Sequence, residues 1–258
     1  MAAPAVLGRA SGASAAADAI QHTITLPASI GAGERLVVAF SVDGDPFCEV
    51  DTGYSGDGWE KVSQSSYSTV VTGALFTKIA AGGDALRINT DQPQQSSHVS
   101  LRIGAANATK ATSANGSSTN SAPPALTLGL GSPTTQTLWV TTRSGDSTVA
   151  ATAAPAGYAN LQSQAAAGVN GASTNTAEKT ATADSDTPGT FTSNVEQWVS
   201  FTLGVFNTSG GAVSVTQVAA ELVSNAIPNA IISQVVVEVV NVAGATPPAT
   251  GGMLVIAT

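Results

Sequence analysis

Along most of the chain, apolar residues alternate with polar ones or gather into short apolar blocks, the spacing of strands rather than helices. His22 to Leu26 places Ile24 and Leu26 on one face, and Leu36 to Val42 is a nearly continuous apolar run, as expected of an inner strand packed on both sides. Thr69 to Ile79, Ala85 to Asn89 and His98 to Ile103 complete a first set of strands. A second set runs Ala125 to Leu130, Gln136 to Thr142, Gly157 to Gln164, Thr176 to Ala183, Gly189 to Thr192 and Gln197 to Phe206. Between them stand turn-forming clusters: Gly31-Ala32-Gly33, Asp43-Gly44-Asp45-Pro46, Gly56-Asp57-Gly58 and Gly82-Gly83-Asp84. Helical signal is nearly absent; Ser14 to Ile20 offers one turn at most, on its alanine content.

The two sets echo each other at an offset of roughly a hundred residues. Val99-Ser100-Leu101-Arg102-Ile103-Gly104 returns as Val199-Ser200-Phe201-Thr202-Leu203-Gly204, and Leu36-Val37-Val38-Ala39 as Leu138-Trp139-Val140-Thr141. Asp43-Gly44-Asp45 answers to Ser144-Gly145-Asp146, Gly58-Trp59 to Gly157-Tyr158, and Thr77-Lys78 to Glu178-Lys179. Short strands between turn-rich loops indicate a β-sandwich. The fold expected is an all-β, jelly-roll-like antiparallel sandwich over residues 1–207, built from two homologous halves (about 20–107 and 123–207). Ser121-Ala122-Pro123-Pro124 reads as a rigid turn rather than a tether, which favours halves interlocked in one sandwich over two separate ones.

Asn115-Gly116-Ser117-Ser118-Thr119-Asn120-Ser121 and Asn170-Gly171-Ala172-Ser173-Thr174-Asn175-Thr176 form a second repeat, read as polar loops. They are either plain solvent loops or hydrogen-bonding loops for a glycan or a neighbouring subunit. Asn115, Ser117, Asn120, Asn170, Ser173 and Asn175 are the residues that would make such contacts. After Thr208-Ser209-Gly210-Gly211 the composition changes. The run from Val215 through Gln217 and Glu221 to Val223 is echoed from Ile232 through Gln234 and Glu238 to Val240. Their β-branched content indicates strands, as do the apolar residues Met253 to Ala257. Residues 208–258 are therefore expected to form a strand arm, paired either with its own sandwich or with a neighbouring subunit.

Composition narrows the partners. Only 10% of residues are charged and the net charge is −8; without a basic run, nucleic acid and anionic membrane surfaces are disfavoured. The longest strongly apolar stretch, around Val235 to Val240, is too short for a membrane helix, and the first seventeen residues do not read as a signal peptide. The single Cys48 excludes an internal disulfide. A surface of Ser, Thr, Asn, Gln, Gly and Ala suits both close subunit assembly and a sugar-facing role.

Chemistry is hard to find in the sequence. His22 and His98 fall in or beside strands and read as structural, and no nucleophile elbow, phosphate loop or zinc-protease motif is present. Trp59 and Tyr158, at matching positions of the two halves, fit packing better than sugar stacking. The acidic stretch Asp43, Asp45, Glu49, Asp51 and Asp57 reads as solvated turn acids, with Asp43, Asp45 and Asp51 as weak Ca²⁺ candidates. No other cofactor is expected.

The succession Ala32-Gly33-Glu34-Arg35-Leu36-Val37-Val38, Gly58-Trp59, Phe76-Thr77-Lys78-Ile79-Ala80 and Ile103-Gly104-Ala105 resembles β-sandwich domains of tailed-bacteriophage virion proteins. The C-terminal repeats look like short tails found on phage structural proteins. The resemblance implies a non-enzymatic virion-surface protein, a capsid decoration or head fibre, made in the bacterial host cytoplasm. It would assemble with itself, a trimer being the expected state, and with other virion proteins. A receptor- or glycan-binding module of a tail fibre is the alternative.

Overall fold

Leu36 to Val42 is the centre of the fold, buried on both faces as its unbroken apolar run requires. The structure is a computed structural model describing residues 2–14, 17–104, 106–130, 136–168 and 171–208. In chain order the elements are β1 (Ala5–Ala13), β2 (Ala19–Thr23), β3 (Arg35–Asp43), β4 (Cys48–Val50), α1 (Thr52–Ser55), β5 (Glu60–Tyr67), β6 (Val71–Ile79), β7 (Arg87–Gln94) and β8 (Ser96–Gly104). There follow β9 (Ala108–Ser121), β10 (Leu126–Thr127), β11 (Thr137–Gly145), β12 (Ala159–Ala165), β13 (Ser173–Ala181), β14 (Ser185–Asp186) and β15 (Phe191–Phe206). The protein is all-β, with every strand pairing antiparallel.

Two five-stranded sheets dominate. Their orders are β1-β8-β3-β6-β5 and β9-β15-β11-β13-β12, the same succession once β9 is set against β1 and β15 against β8. Each large sheet is accompanied by a small one, β2-β7-β4 for the first and β10-β14 for the second. No ladder pairs a strand of the first set with one of the second among the described residues, so the halves do not interlock as the sequence suggested. They stack instead.

Three cores hold the layers. Val37, Ala39, Leu75, Leu101 and Ile103 of the first large sheet meet Leu138, Val140, Phe201, Leu203 and Val205 of the second. On the outer face of the first sheet, Leu36, Val38, Phe40 and Phe76 pack with Cys48, Leu86 and Ile88. Trp139, Ala177, Phe191 and Phe206 pack with Leu126 and Leu128 on the outer face of the second. Alternation along β3 and β11 sends successive apolar residues to different cores, and both strands are buried on both faces.

The hydrogen-bonded ladders correct the sequence alignment of the halves. Leu36 faces Lys78 across β3 and β6, and Trp139 faces Lys179 across β11 and β13. Matching the lysines therefore equates Leu36 with Trp139, not with Leu138. A one-residue slip in a strand exchanges its faces, and Leu138 indeed lies in the central core while Leu36 lies in the outer one. On the corrected register Ser41 matches Ser144 and Asp43 matches Asp146.

Other expectations shift for identifiable reasons. A helical turn forms at α1, where the Asp51 side chain accepts from Tyr54 N; of the stretch Ser14 to Ile20, Ser14 N bonds Ser96 O at 2.8 Å and Ala19 opens β2. Asn115 to Ser121 is not a loop but the second part of β9, paired along β15. Its glycine has a packing cause. Gly116 faces Trp198, and a Cβ there would come within 2.8 Å of the indole.

Candidate functional site

Three places concentrate polar chemistry. The first is the contact between the large sheets near the ends of β3 and β11. Ser97 and Thr174 share a hydroxyl bond of 2.8 Å, Thr174 donates to Ser41 at 2.7 Å, and Ser41 donates to Ser144 at 2.7 Å. All four are buried. Beyond them the Asp43 and Asp146 carboxyls lie next to each other. Burial, with Asp146 alongside, pushes Asp43 up to about 6, and burial raises Asp146 as well. Such a pair holds a shared proton at mildly acidic pH.

The second place is a cavity of about 300 Å³ lined by Ala13, Asp18, Gln21, His22, Ser96 and His98, among others. Ser96 Oγ lies 2.8 Å from His22 Nδ1, a spacing seen in nucleophilic pairs. However, the other ring nitrogen of His22 meets Thr90 Oγ1 at 3.2 Å rather than a carboxylate, so no Ser-His-Asp arrangement is formed. His98 Nε2 accepts from Thr25 N at 2.9 Å. Burial lowers both histidines to about 4. They are neutral packing groups at physiological pH.

The third is a cavity of about 420 Å³ lined by Arg35, Gly58, Glu60, Thr77, Lys78, Ile79, Asn107, Ala108 and Thr109. It borders a corner that occurs in both halves. Lys78 Nζ lies 5.9 Å from the Trp59 ring centre and 2.9 Å from Asp84, while its stem passes Gly58. Lys179 likewise lies 5.0 Å from the Tyr158 ring centre, pairs with Asp186, and passes Gly157. Both glycines have positive φ, +89° and +81°. In the second corner Asp186 also accepts from the Tyr158 hydroxyl. The Gly-aromatic and Lys repeats were legible in sequence; Asp84 and Asp186 were not, because they sit outside the aligned blocks.

The residues proposed from sequence scatter. Asn115 and Ser117 are exposed on β9, with Asn115 Nδ2 donating to Ser66 O at 2.8 Å, and Asn120 lies further along that strand. Ser173 and Asn175 are fully buried in β13. There Asn175 bonds Arg143, Ala151 N and Ser163, so neither of these two side chains is at the surface. Asn170 and the arm residues Val215, Gln217, Glu221, Val223, Ile232, Gln234, Glu238 and Val240 lie outside the described residues. The calcium candidates do not converge either. Asp43 faces Asp146, Asp45 is exposed, and Asp51 caps α1 and pairs with Arg87 at 2.5 Å. Among the described residues no group of three or more His, Cys, Asp or Glu side chains is placed to hold a metal.

Burial also raises the Cys48 thiol to about 12, which keeps it protonated and unreactive. No helix of the described residues is long and apolar enough to cross a membrane. Comparison with protein-family models, with curated proteins and with solved structures finds no match.

Proposed function

We propose that this chain is a non-enzymatic structural protein of a phage virion surface, a capsid decoration or head fibre that assembles as a homo-oligomer through residues 208–258. The observation that carries the reading is the strand course taken twice. First pairs with eighth, second with seventh and third with sixth, which is the course of a jelly roll, and β9 to β15 repeat it without a β4 equivalent. Jelly rolls are the recurrent building blocks of viral shells and lectins.

Two further features support it. The chain carries few charges, so subunits can meet with few ionic groups to desolvate. The groups most able to do chemistry, His22, His98 and Cys48, are buried in unreactive forms. The tail-fibre receptor alternative is the weaker reading, since only Asn115 and Ser117 of its contact residues are described at the surface.

The test is the molecular mass in solution of the full chain and of a chain ending at Asn207. A multimer that falls to a folded monomer on truncation supports assembly through the tail. Equal masses for the two, or particles still decorated by the shortened chain, reject it.

A further inference from the structure

We propose that the cavity beside Arg35 is a binding site for a small organic carboxylate of about sugar size. Arg35 is the anchor. Four of the five arginines have a carboxylate within ion-pair distance: Arg9 with Glu178, Arg87 with Asp51, Arg102 with Glu34 and Arg143 with Glu196. Arg35 has none among the described residues, although it is only 7% exposed. Its guanidinium donates to Thr77 Oγ1 at 3.1 Å and to the Asn107 carbonyl at 2.8 Å, and its buried Nε has no acceptor. A buried cation hydrogen-bonded only to neutral oxygens, with the Glu60 carboxylate near enough to favour its charge but beyond ion-pair distance, is costly to keep, and it lines the cavity.

The fold does not require that charge. Arg35 precedes Leu36 in β3 as Leu138 precedes Trp139 in β11, so the matching rung of the second half holds an apolar core residue. Lys78, ion-paired with Asp84, stands beside it in the cavity wall.

The remaining lining selects the ligand. Thr77 and the Asn107 backbone already occupy one donor on each terminal guanidinium nitrogen, leaving the second N–H of each for one planar acceptor. The exposed Glu60 lines the same cavity and repels a dianion more than a monoanion. Ile79 and Ala108 give an apolar wall. A single carboxylate on a carbon skeleton meets these conditions better than phosphate, and the volume exceeds what acetate alone would fill.

The test titrates the full chain with acetate, glucuronate and inorganic phosphate at ionic strength fixed with chloride. The Arg35 Nε–H resonance locates binding and calorimetry measures it. The expected result is a saturable shift with both carboxylates, glucuronate binding tighter than acetate and phosphate weakest. Arg35→Leu, which copies the second half's residue, is expected to weaken glucuronate by about tenfold or more, the worth of a hydrogen bond to a charged group. Glu60→Gln, a surface change, is expected to tighten it by about threefold, as for a partly exposed charge. No saturable shift, affinity unchanged in a folded Arg35→Leu protein, or phosphate binding as tightly as glucuronate overturns the proposal. Should Arg35→Leu fail to fold, unchanged affinity in Glu60→Gln overturns it alone.

Discussion

Ser41 Oγ donates to Ser144 Oγ at 2.7 Å, and these two residues occupy the same rung of the two large sheets. Asp43 and Asp146, two residues further on, repeat the relationship. Contact between equivalent residues is what an isologous, two-fold interface produces, so the stacking of the halves has the character of a homodimer interface within one chain. The neighbouring contacts agree. Thr174 bonds Ser41, while Gly73, which sits on the corresponding strand, leaves room for Ser144.

That hydroxyl chain is expected to respond non-additively to mutation. Ser144→Ala orphans the Ser41 proton in a dry contact and should cost about 1–3 kcal/mol, whereas adding Ser41→Ala should recover part of the loss. Urea unfolding of the two single variants and the double variant checks this. Additive losses would show that the bond carries no coupling.

Gly73 is a spacer between the sheets. A Cβ there would meet Ser144 Oγ at 2.6 Å and a Phe201 ring carbon at 2.8 Å. Gly73→Ala is therefore expected to destabilise by about 1–3 kcal/mol, the usual penalty for overpacking. Ser144→Gly in the same chain should relieve part of it, as read from the thermal midpoint.

The carboxyl pair gives a pH signature. The Asp43 pKa lies at about 6 in the folded protein, above its unfolded value, so its stabilising contribution is complete below about pH 4 and is lost as pH rises through 6. Asp43→Asn should raise the melting midpoint at pH 7.5 and leave it nearly unchanged at pH 4. A rise of equal size at both pH values would mean that burial does not raise the Asp43 pKa.

The buried histidines act in the opposite direction. Their folded pKa values, about 4, lie below the unfolded 6.5, so stability present above 6.5 is lost as pH falls towards 4. Each contributes on the order of 3 kcal/mol across that window. Their combined loss outweighs the gain from Asp43, so acid should unfold the protein steeply between these limits. Replacing both with Gln should flatten the curve.

Arg143 and Glu196 form an ion pair buried at 0% and 5% side-chain exposure. Arg143→Met is expected to cost about 3–5 kcal/mol by stranding the carboxylate, while Arg143→Met with Glu196→Leu should cost clearly less. Denaturation midpoints of both variants distinguish this from a simple packing loss.

The fold class was legible because short apolar blocks and turn residues carry it, and the inner strands lay close to where alternation placed them. Three things were not. The edge strands β5 and β9 are rich in Ser, Thr, Gln and Asn, whose hydroxyl and amide groups read as loop, and β1 is largely Ala and Gly; here ladder pairing, not propensity, makes them strands. The register of the repeat was misjudged by one residue because Leu36 and Leu138 are chemically alike yet face different cores. Arg35 gave no signal as a site, since only the tertiary fold shows that, among the described residues, no carboxylate lies within ion-pair distance of it.

Carrying the same strand course twice in one polypeptide has an effect that a pair of identical subunits cannot have. Mutation of a homodimer alters both faces at once, but here each outer surface varies by itself while the contact between the sheets stays matched. The first surface carries β4 and α1, and the second has a two-stranded cover and the buried Arg143–Glu196 pair. The molecule thus has two unlike sides in a fixed one-to-one ratio, which gives it a direction.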